Sequence, residues 1–117
     1  PLPQGKGLAT MLHLARAGDT LRLHKGVYKE HDMVIGKPLT ITAANGEEGS
    51  VVIDAELKGT SIFFVRANRV TMRGLTLKNV PIAYVNDNAA IRAEGVKHCT
   101  FENLRIDNAF FGMYFAT

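Results

Sequence analysis

The stretch FFVRANRVTMRGLTLKN, residues 63–79, decides the fold, because a related stretch follows it along the chain. It aligns without a gap with RAEGVKHCTFENLRIDN, residues 92–108, when Phe63 is placed over Arg92. The alignment pairs Ile62 with Ile91, Phe64 with Ala93, Val70 with Cys99, Met72 with Phe101, Leu75 with Leu104, Leu77 with Ile106, and Asn79 with Asn108. Apolar residues meet apolar residues and asparagine meets asparagine, which indicates a repeat architecture.

A third, partial copy indicates the length of the basic repeat. The segment from Asn79 to Ile91 is longer than the corresponding segment from Asn108 to Met113. The stretch VPIAYVNDN at residues 80–88 is therefore expected to hold a loop insertion, and removing it leaves a coil of about 22 residues. A coil of this length with three short strands predicts a parallel β-helix, whose coils stack because none of them buries its own inward side chains.

The rest of the chain reads as short strands separated by turn residues. The predicted strands are TLRLH, MVI, LTITA, SVVID, SIFFV, RVTMR, LTLK, AIRA, CTFEN, LRID and GMYFA. No helical period lies between them, which argues against a βαβ sheet. Hairpin turn signals of the NG or DG type are nearly absent, which argues against a sandwich. The expected class is therefore all-β, with about four parallel coils over residues 20–117.

One amphipathic helix is predicted before the strands, over residues 7–17. Its apolar stripe at i, i+3, i+4 and i+7 consists of Leu8, Met11, Leu12 and Ala15. Gly18 is expected to stop this helix in a left-handed conformation, and Asp19 and Thr20 to lead into the first strand. Gly26 and Tyr28 are expected to form a turn. The stripe would then cover the first coil as a cap.

Stacked coils also predict contacts on the outer surface. The same alignment places Arg73 over Glu102 and Lys78 over Asp107, as charge-complementary pairs. Asn79 and Asn108 are expected to stack at one corner, with their amides bonded to turn backbone groups. A glycoside hydrolase needs carboxylates that converge on one surface, and these pairings leave few carboxylates for that role.

Composition and charge exclude several classes of protein. The chain of 117 residues is 46% hydrophobic, with a formal net charge of +3. Its charges are scattered along the sequence, which argues against nucleic-acid binding. The single cysteine, Cys99, excludes an internal disulfide bond, and no apolar run is long enough for a membrane span. If the protein is exported, its signal peptide is expected to have been removed from this chain.

Several phrases resemble those of NosD-type proteins, which belong to the pectin-lyase-like superfamily of right-handed parallel β-helices with a carbohydrate-binding and sugar-hydrolase type repeat. The phrases are GDT at residues 18–20, GVY at 26–28, IGKPLTI at 35–41, VID at 52–54 and VTMRGLTL at 70–77. They occur in the same order as in the family, and the resemblance covers nearly the whole chain.

The resemblance implies a periplasmic or secreted accessory protein that binds and docks rather than catalyses. Its implied partners are an ABC transporter of the NosF and NosY type and nitrous oxide reductase, whose copper–sulfur centre it helps to assemble. Family members are longer, so the chain is expected to be an N-terminal fragment of a longer solenoid. Its open C-terminal end would then pair with another copy or with the missing remainder.

Copper is the metal that the resemblance implies, and imidazole and thioether groups suit it. The candidate ligands are His24 and His31, which flank one loop, and Met33, which follows it. The alternative hypotheses are a carbohydrate-active enzyme such as a lyase, hydrolase or epimerase, a polysaccharide-binding protein, and a structural surface β-helix. No catalytic residues are assigned.

Overall fold

The computed structural model describes residues 7–81, 88–109 and 111–116. Within these residues, one helix, α1, spans Leu8–Leu14. Twelve strands follow: β1 Thr20–Leu23, β2 Gly26–Tyr28, β3 Met33–Ile35, β4 Thr40–Ala43, β5 Val51–Asp54, β6 Ser61–Val65, β7 Thr71–Arg73, β8 Leu75–Lys78, β9 Ala89–Glu94, β10 Thr100–Glu102, β11 Arg105–Asp107 and β12 Phe111–Ala116. All eleven segments predicted as strands contain one, and β2 is an addition.

The strands form three four-stranded sheets in which every neighbouring pair is parallel. Sheet A holds β1, β4, β7 and β10; sheet B holds β2, β5, β8 and β11; sheet C holds β3, β6, β9 and β12. Each strand pairs with the strand three places later, so the chain visits the three sheets in turn. We call one such passage, which corresponds to one predicted coil, a rung. Four rungs of parallel strands are compatible with the predicted parallel β-helix.

Alternating side chains build the interior between the sheets. In β3, Met33 and Ile35 are buried while Val34 is exposed. Successive rungs place buried residues in register, so that Met33, Phe63 and Ile91 form one interior column in sheet C. Because such columns run through all three sheets, the buried apolar residues from Leu8 to Ala93 form one continuous core.

The predicted alignment of the two repeats is confirmed in sheets A and B. Met72 pairs with Phe101, and Leu77 pairs with Ile106. The predicted loop insertion is confirmed as well, because Met113 pairs with Ile91 although fewer residues separate it from Asn108 than separate Ile91 from Asn79. Part of the insertion, residues 82–87, lies outside the described part of the chain.

The same alignment is wrong in sheet C. Ile91 pairs with Phe63 rather than Ile62, and Ala93 pairs with Val65 rather than Phe64. The reason is one additional residue in the turn after β9, where Gly95 adopts a positive φ of 66°. This residue brings the chain back to the predicted alignment by the time it reaches β10. An ungapped alignment therefore exchanges the inward and outward residues of β6.

The helix is shorter than predicted and ends well before Gly18. It stops at Leu14, and Ala15 is extended, whereas Gly18 has a φ of +92° and lies beyond both. Leu8, Leu12 and Ala15 are buried, as the stripe predicted, and Met11 is half-buried. The helix packs against β3, the terminal strand of sheet C.

Two charged side chains hold α1 at its ends. The Glu30 carboxylate accepts hydrogen bonds from the backbone N–H groups of Leu8 at 2.7 Å and Ala9 at 2.9 Å. At the other end, Lys37 Nζ donates to the carbonyl oxygens of His13 at 2.9 Å and Ala15 at 2.5 Å. An acid at the N-terminus and a base at the C-terminus satisfy free backbone groups of this short helix.

The segment around Gly26 and Tyr28 is a strand rather than the predicted turn. Gly26, Val27 and Tyr28 pair with Val51, Val52 and Ile53 of β5. The alternation of inward and outward side chains in β2 is not visible in the sequence because Gly26 has no side chain. The outward residue Val27 is apolar although it is 57% exposed.

The outer surface carries one of the two predicted ion pairs. Arg73 Nε lies 3.0 Å from Glu102 Oε2. Lys78 and Asp107 are paired in register, but Asp107 forms its ion pair with Arg105 of its own strand, at 3.1 Å. In the part of the chain that the structure describes, no helix is both long and apolar enough to cross a bilayer.

The predicted asparagine stack is confirmed, with partners that differ from the prediction. Asn108 Nδ2 donates to Asn79 Oδ1 at 3.0 Å, and Asn79 Nδ2 donates to Asp54 Oδ1 at 3.0 Å. The side chains are therefore hydrogen-bonded to one another across three rungs, rather than to backbone groups of a turn as predicted. Both asparagines have left-handed backbone, with φ of 61° and 57°.

Asn108→Ala is expected to lower the free energy of unfolding by about 1–3 kcal/mol, because it removes the hydrogen bond between the two side-chain amides and leaves alanine in a left-handed conformation. Asn103→Ala is the matched control, since Asn103 has a φ of 51° and is exposed. Urea unfolding of both variants measures the contribution of the stack. If Asn108→Ala costs no more than Asn103→Ala, the stack contributes nothing.

Candidate functional site

A cleft of about 580 Å³ opens on the outward side of sheet C, where β6 and β9 end. Its lining combines apolar side chains with polar and charged groups; it includes Phe64, Val96, Arg66, Asn68, Arg92 and Glu94. We call this cleft the sheet C groove. Large clefts with a few converging polar groups are the usual places where proteins bind small molecules or segments of polymers.

The strand alternation explains why these side chains face outward. Phe63 and Val65 point into the core, so Phe64 between them points away from it and remains half-buried. In register, Phe64 pairs with Val34 on one side and with Arg92 on the other. An aromatic residue and an arginine therefore lie in one outward column, on neighbouring rungs about 4.8 Å apart.

Charged groups lie beside the Phe64 ring. The guanidinium carbon of Arg66 lies 5.6 Å from the centre of the ring, within the range of a cation–π contact. Arg92 Nε donates a hydrogen bond of 2.7 Å to Glu94 Oε1. The groove thus offers an apolar face, planar guanidinium donors and a carboxylate acceptor within one cleft, which suits a ligand with both ring faces and hydroxyl or acidic groups.

The predicted metal ligands occupy different environments. His24 Nδ1 lies 3.3 Å from Glu47 Oε2, and the His24 side chain is 60% exposed. His31 Nδ1 lies 2.7 Å from Asp32 Oδ2. Met33 is 3% exposed and belongs to the core column of sheet C. The structure therefore places the two histidines on the surface and the Met33 thioether in the interior.

His24 lies at the corner between sheets A and B and His31 at the corner between sheets B and C, while Met33 lies in the core, so the structure does not bring the three predicted ligands together. When Nδ1 of a histidine is bonded to a carboxylate, its Nε2 is left to coordinate a metal. Within residues 7–81, 88–109 and 111–116, no group of three or more histidine, cysteine or acidic side chains is placed to hold a metal ion. The copper site at His24, His31 and Met33 stays a prediction.

Asp32 organises the corner between sheets B and C. Its Oδ1 accepts hydrogen bonds from the backbone N–H and the hydroxyl of Thr60, both at 3.0 Å, and from the backbone N–H of Ser61 at 3.3 Å. Its Oδ2 faces His31. Burial alone would raise the pKa of Asp32, but these hydrogen bonds lower it below the ordinary value of 3.8.

Stability is expected to fall in acid because of Asp32 and Asp54. Burial raises the pKa of Asp54, but its bonds to Asn79 and to the backbone of Glu56 lower it below 3.8. Both folded-state pKa values lie below the unfolded ones, so the stabilisation is present above about pH 4 and lost as the pH falls through the folded values. Urea unfolding between pH 6 and pH 2.5 measures the loss.

The variant Asp32→Asn isolates one of these two carboxylates. It is expected to be less stable than the parent at pH 6 and to lose less stability on acidification. A pH dependence equal to that of the parent would show that Asp32 does not titrate with folding.

The groove was not predicted from the sequence. The repeat aligned Phe64 with Ala93 as an apolar pair, whereas in the structure Phe64 pairs with Arg92 and faces outward. The available signal was the pair of adjacent phenylalanines in SIFFV, because alternation requires one of two neighbouring residues in a strand to face outward. Arg66 and Arg92 carried no signal of their own, because nothing in the sequence places them together.

Comparison of the chain with models of protein families, with curated proteins and with solved structures finds no match in any of the three.

Proposed function

We propose that the chain is a right-handed parallel β-helix of the pectin-lyase-like type that binds carbohydrate in the sheet C groove without catalysing a reaction. The observation that carries the proposal is the half-buried Phe64 ring, framed by Arg92 and Glu94 in one cleft. Aromatic rings pack against the apolar faces of sugars, while guanidinium and carboxylate groups bond their polar edges. Under this proposal the protein acts in the periplasm or outside the cell.

A glycan array identifies the ligand, and calorimetry with the best ligand tests the groove. Phe64→Ala is expected to weaken binding about tenfold or more, because it removes the apolar surface on which the sugar packs. Val34→Ala is the matched control: Val34 occupies the same outward column, is 54% exposed and does not line the groove. Equal affinities for Phe64→Ala and the parent would refute the groove as the binding site.

A NosD-like role in copper-site assembly is the second candidate. It is supported by the contacts of His24 and His31 with Glu47 and Asp32, which leave each Nε2 to coordinate a metal. Its partners would be the ABC transporter and the reductase that the resemblance implies. Titration with Cu(I), followed by tyrosine fluorescence, tests the binding step.

The copper titration has a matched set of variants. His24→Gln and His31→Gln are expected to weaken binding, whereas Met33→Leu is expected to leave it unchanged, since Met33 lies in the core. No saturable binding by the parent chain would refute the copper role for these residues.

A further inference from the structure

The turns that lead from sheet C to sheet A stack into one corner of the molecule. They comprise residues 36–39, 66–70 and 95–99 in the first three rungs. Arg69 N–H donates to the carbonyl of Lys97 at 3.0 Å, and Lys97 N–H donates to Asn68 Oδ1 at 2.8 Å. These bonds hold the second and third turns directly against each other.

The three turns of this corner contain bases and no acids. Their sequences are GKPL, RANRV and GVKHC. The turns at the other two corners mix bases with acids: Lys25 with Glu47 and Glu48 at one, and Lys29 and Lys58 with Glu30, Asp32 and Glu56 at the other. The fold therefore concentrates at one corner bases that are scattered along the sequence, contrary to the expectation of a dispersed charge. We call Arg66, Arg69, Lys97 and His98 the basic corner.

The cationic side chains of the basic corner are not neutralised within the described residues. Arg66, Arg69 and Lys97 are exposed and form no ion pair there, although Arg66 packs on the Phe64 ring. By contrast, Arg73 and Arg105 on the sheets each contact a carboxylate. Like charges held on neighbouring rungs about 4.8 Å apart repel one another unless an anion lies between or across them.

We propose that the basic corner binds an anionic polysaccharide, so that the carbohydrate ligand is a polymer carrying sulfate or carboxylate groups. This inference rests on the proposed function, because Arg66 belongs both to the sheet C groove and to the basic corner. A sugar unit packs on Phe64, and the chain continues along the stacked turns, where Arg69 and Lys97 contact its acidic groups. A charged polymer gains affinity from each cation it meets.

Dextran sulfate and neutral dextran of equal length are the probes, because they share one backbone and differ in charge. Dextran sulfate is expected to bind at least tenfold more tightly at low salt, and the difference is expected to shrink as salt rises. Equal affinity for the two polymers would overturn the inference while leaving carbohydrate binding in the groove intact.

The variant Arg69→Asn/Lys97→Gln removes two charges from the basic corner. Asparagine is chosen at position 69 because it tolerates the φ of 59° that Arg69 adopts. The matched control, Lys58→Gln/Arg105→Gln, removes the same charge from side chains that are 66% and 75% exposed and lie away from this corner. Circular dichroism checks that both variants fold.

The corner variant is expected to lose at least tenfold in affinity for dextran sulfate and to show a flatter salt dependence, whereas the control stays within about twofold. Equal losses in the two variants would overturn the inference, because they would reflect net charge alone. Tighter binding of a single-stranded oligonucleotide than of dextran sulfate would overturn it in favour of a nucleic acid. If the corner variant loses binding but Phe64→Ala does not, the result supports the basic corner as a binding site and refutes the sheet C groove as one.

Discussion

Phe63→Ala is expected to destabilise the protein by about 3–5 kcal/mol, because it leaves a large cavity in the centre of the core. Phe63 is fully buried in β6 and stacks between Met33 of the rung before and Ile91 of the rung after. The stacked rungs cannot collapse into the space without breaking the backbone pairing on both sides. Urea unfolding, followed by far-ultraviolet circular dichroism, measures the change.

Phe64→Ala is the control for this experiment, since the neighbouring phenylalanine faces outward. It is expected to cost about 0.5–1.5 kcal/mol, chiefly through the contact with Arg66. If Phe63→Ala does not fold, Phe63→Leu keeps the comparison measurable. A larger loss for Phe64→Ala than for Phe63→Ala would mean that β6 is paired in the other register, with Phe64 inward and Phe63 outward.

The repeat in the sequence predicted the stacking because the interior is built from columns of like residues. Met72 over Phe101 and Leu77 over Ile106 are such columns, and burial selects apolar residues at both positions whatever their identity. The outward pair Arg73 and Glu102 was predictable for the same reason, since residues paired in register are neighbours in space.

The register of sheet C was not predictable from that repeat, because the length of a turn leaves no periodic signal. A single extra residue near Gly95 changes which face of β6 is buried, and with it the position of Phe64. The ends of α1 escaped prediction for a related reason: Glu30 and Lys37 reach the helix from turns that lie far along the chain. Contacts of this kind depend on the folded path of the chain.

The site was harder to predict than the fold, since it is made of outward residues from different rungs. Burial does not constrain such residues, so the sequence shows no pattern for the groove or the basic corner. Arg69 and Lys97 become neighbours only because their turns are hydrogen-bonded to one another. Basic residues that are far apart in the sequence therefore lie together in the folded chain.

Gly59→Ala is expected to cost about 2–4 kcal/mol, because two effects combine at this position. Gly59 has a φ of +72°, which strains any residue with a Cβ atom. An added Cβ would also meet the Asp32 carboxylate and come within 2.6 Å of His31 Nδ1. The Asp32 carboxylate would then have to move, which breaks the contact of its Oδ2 with His31 and disturbs the hydrogen bonds that its Oδ1 accepts from Thr60 and Ser61.

Gly46→Ala separates the two effects. Gly46 has a similar φ of +80°, and a Cβ there would have no atom within 4 Å. This variant is expected to lose only the strain energy, about 1–2 kcal/mol. Gly59→Ala should also shift the histidine resonances of His31 and reduce the acid sensitivity that depends on Asp32. Equal destabilisation of the two variants, with an unchanged pH dependence, would show that the Asp32 contacts do not stabilise the corner between sheets B and C.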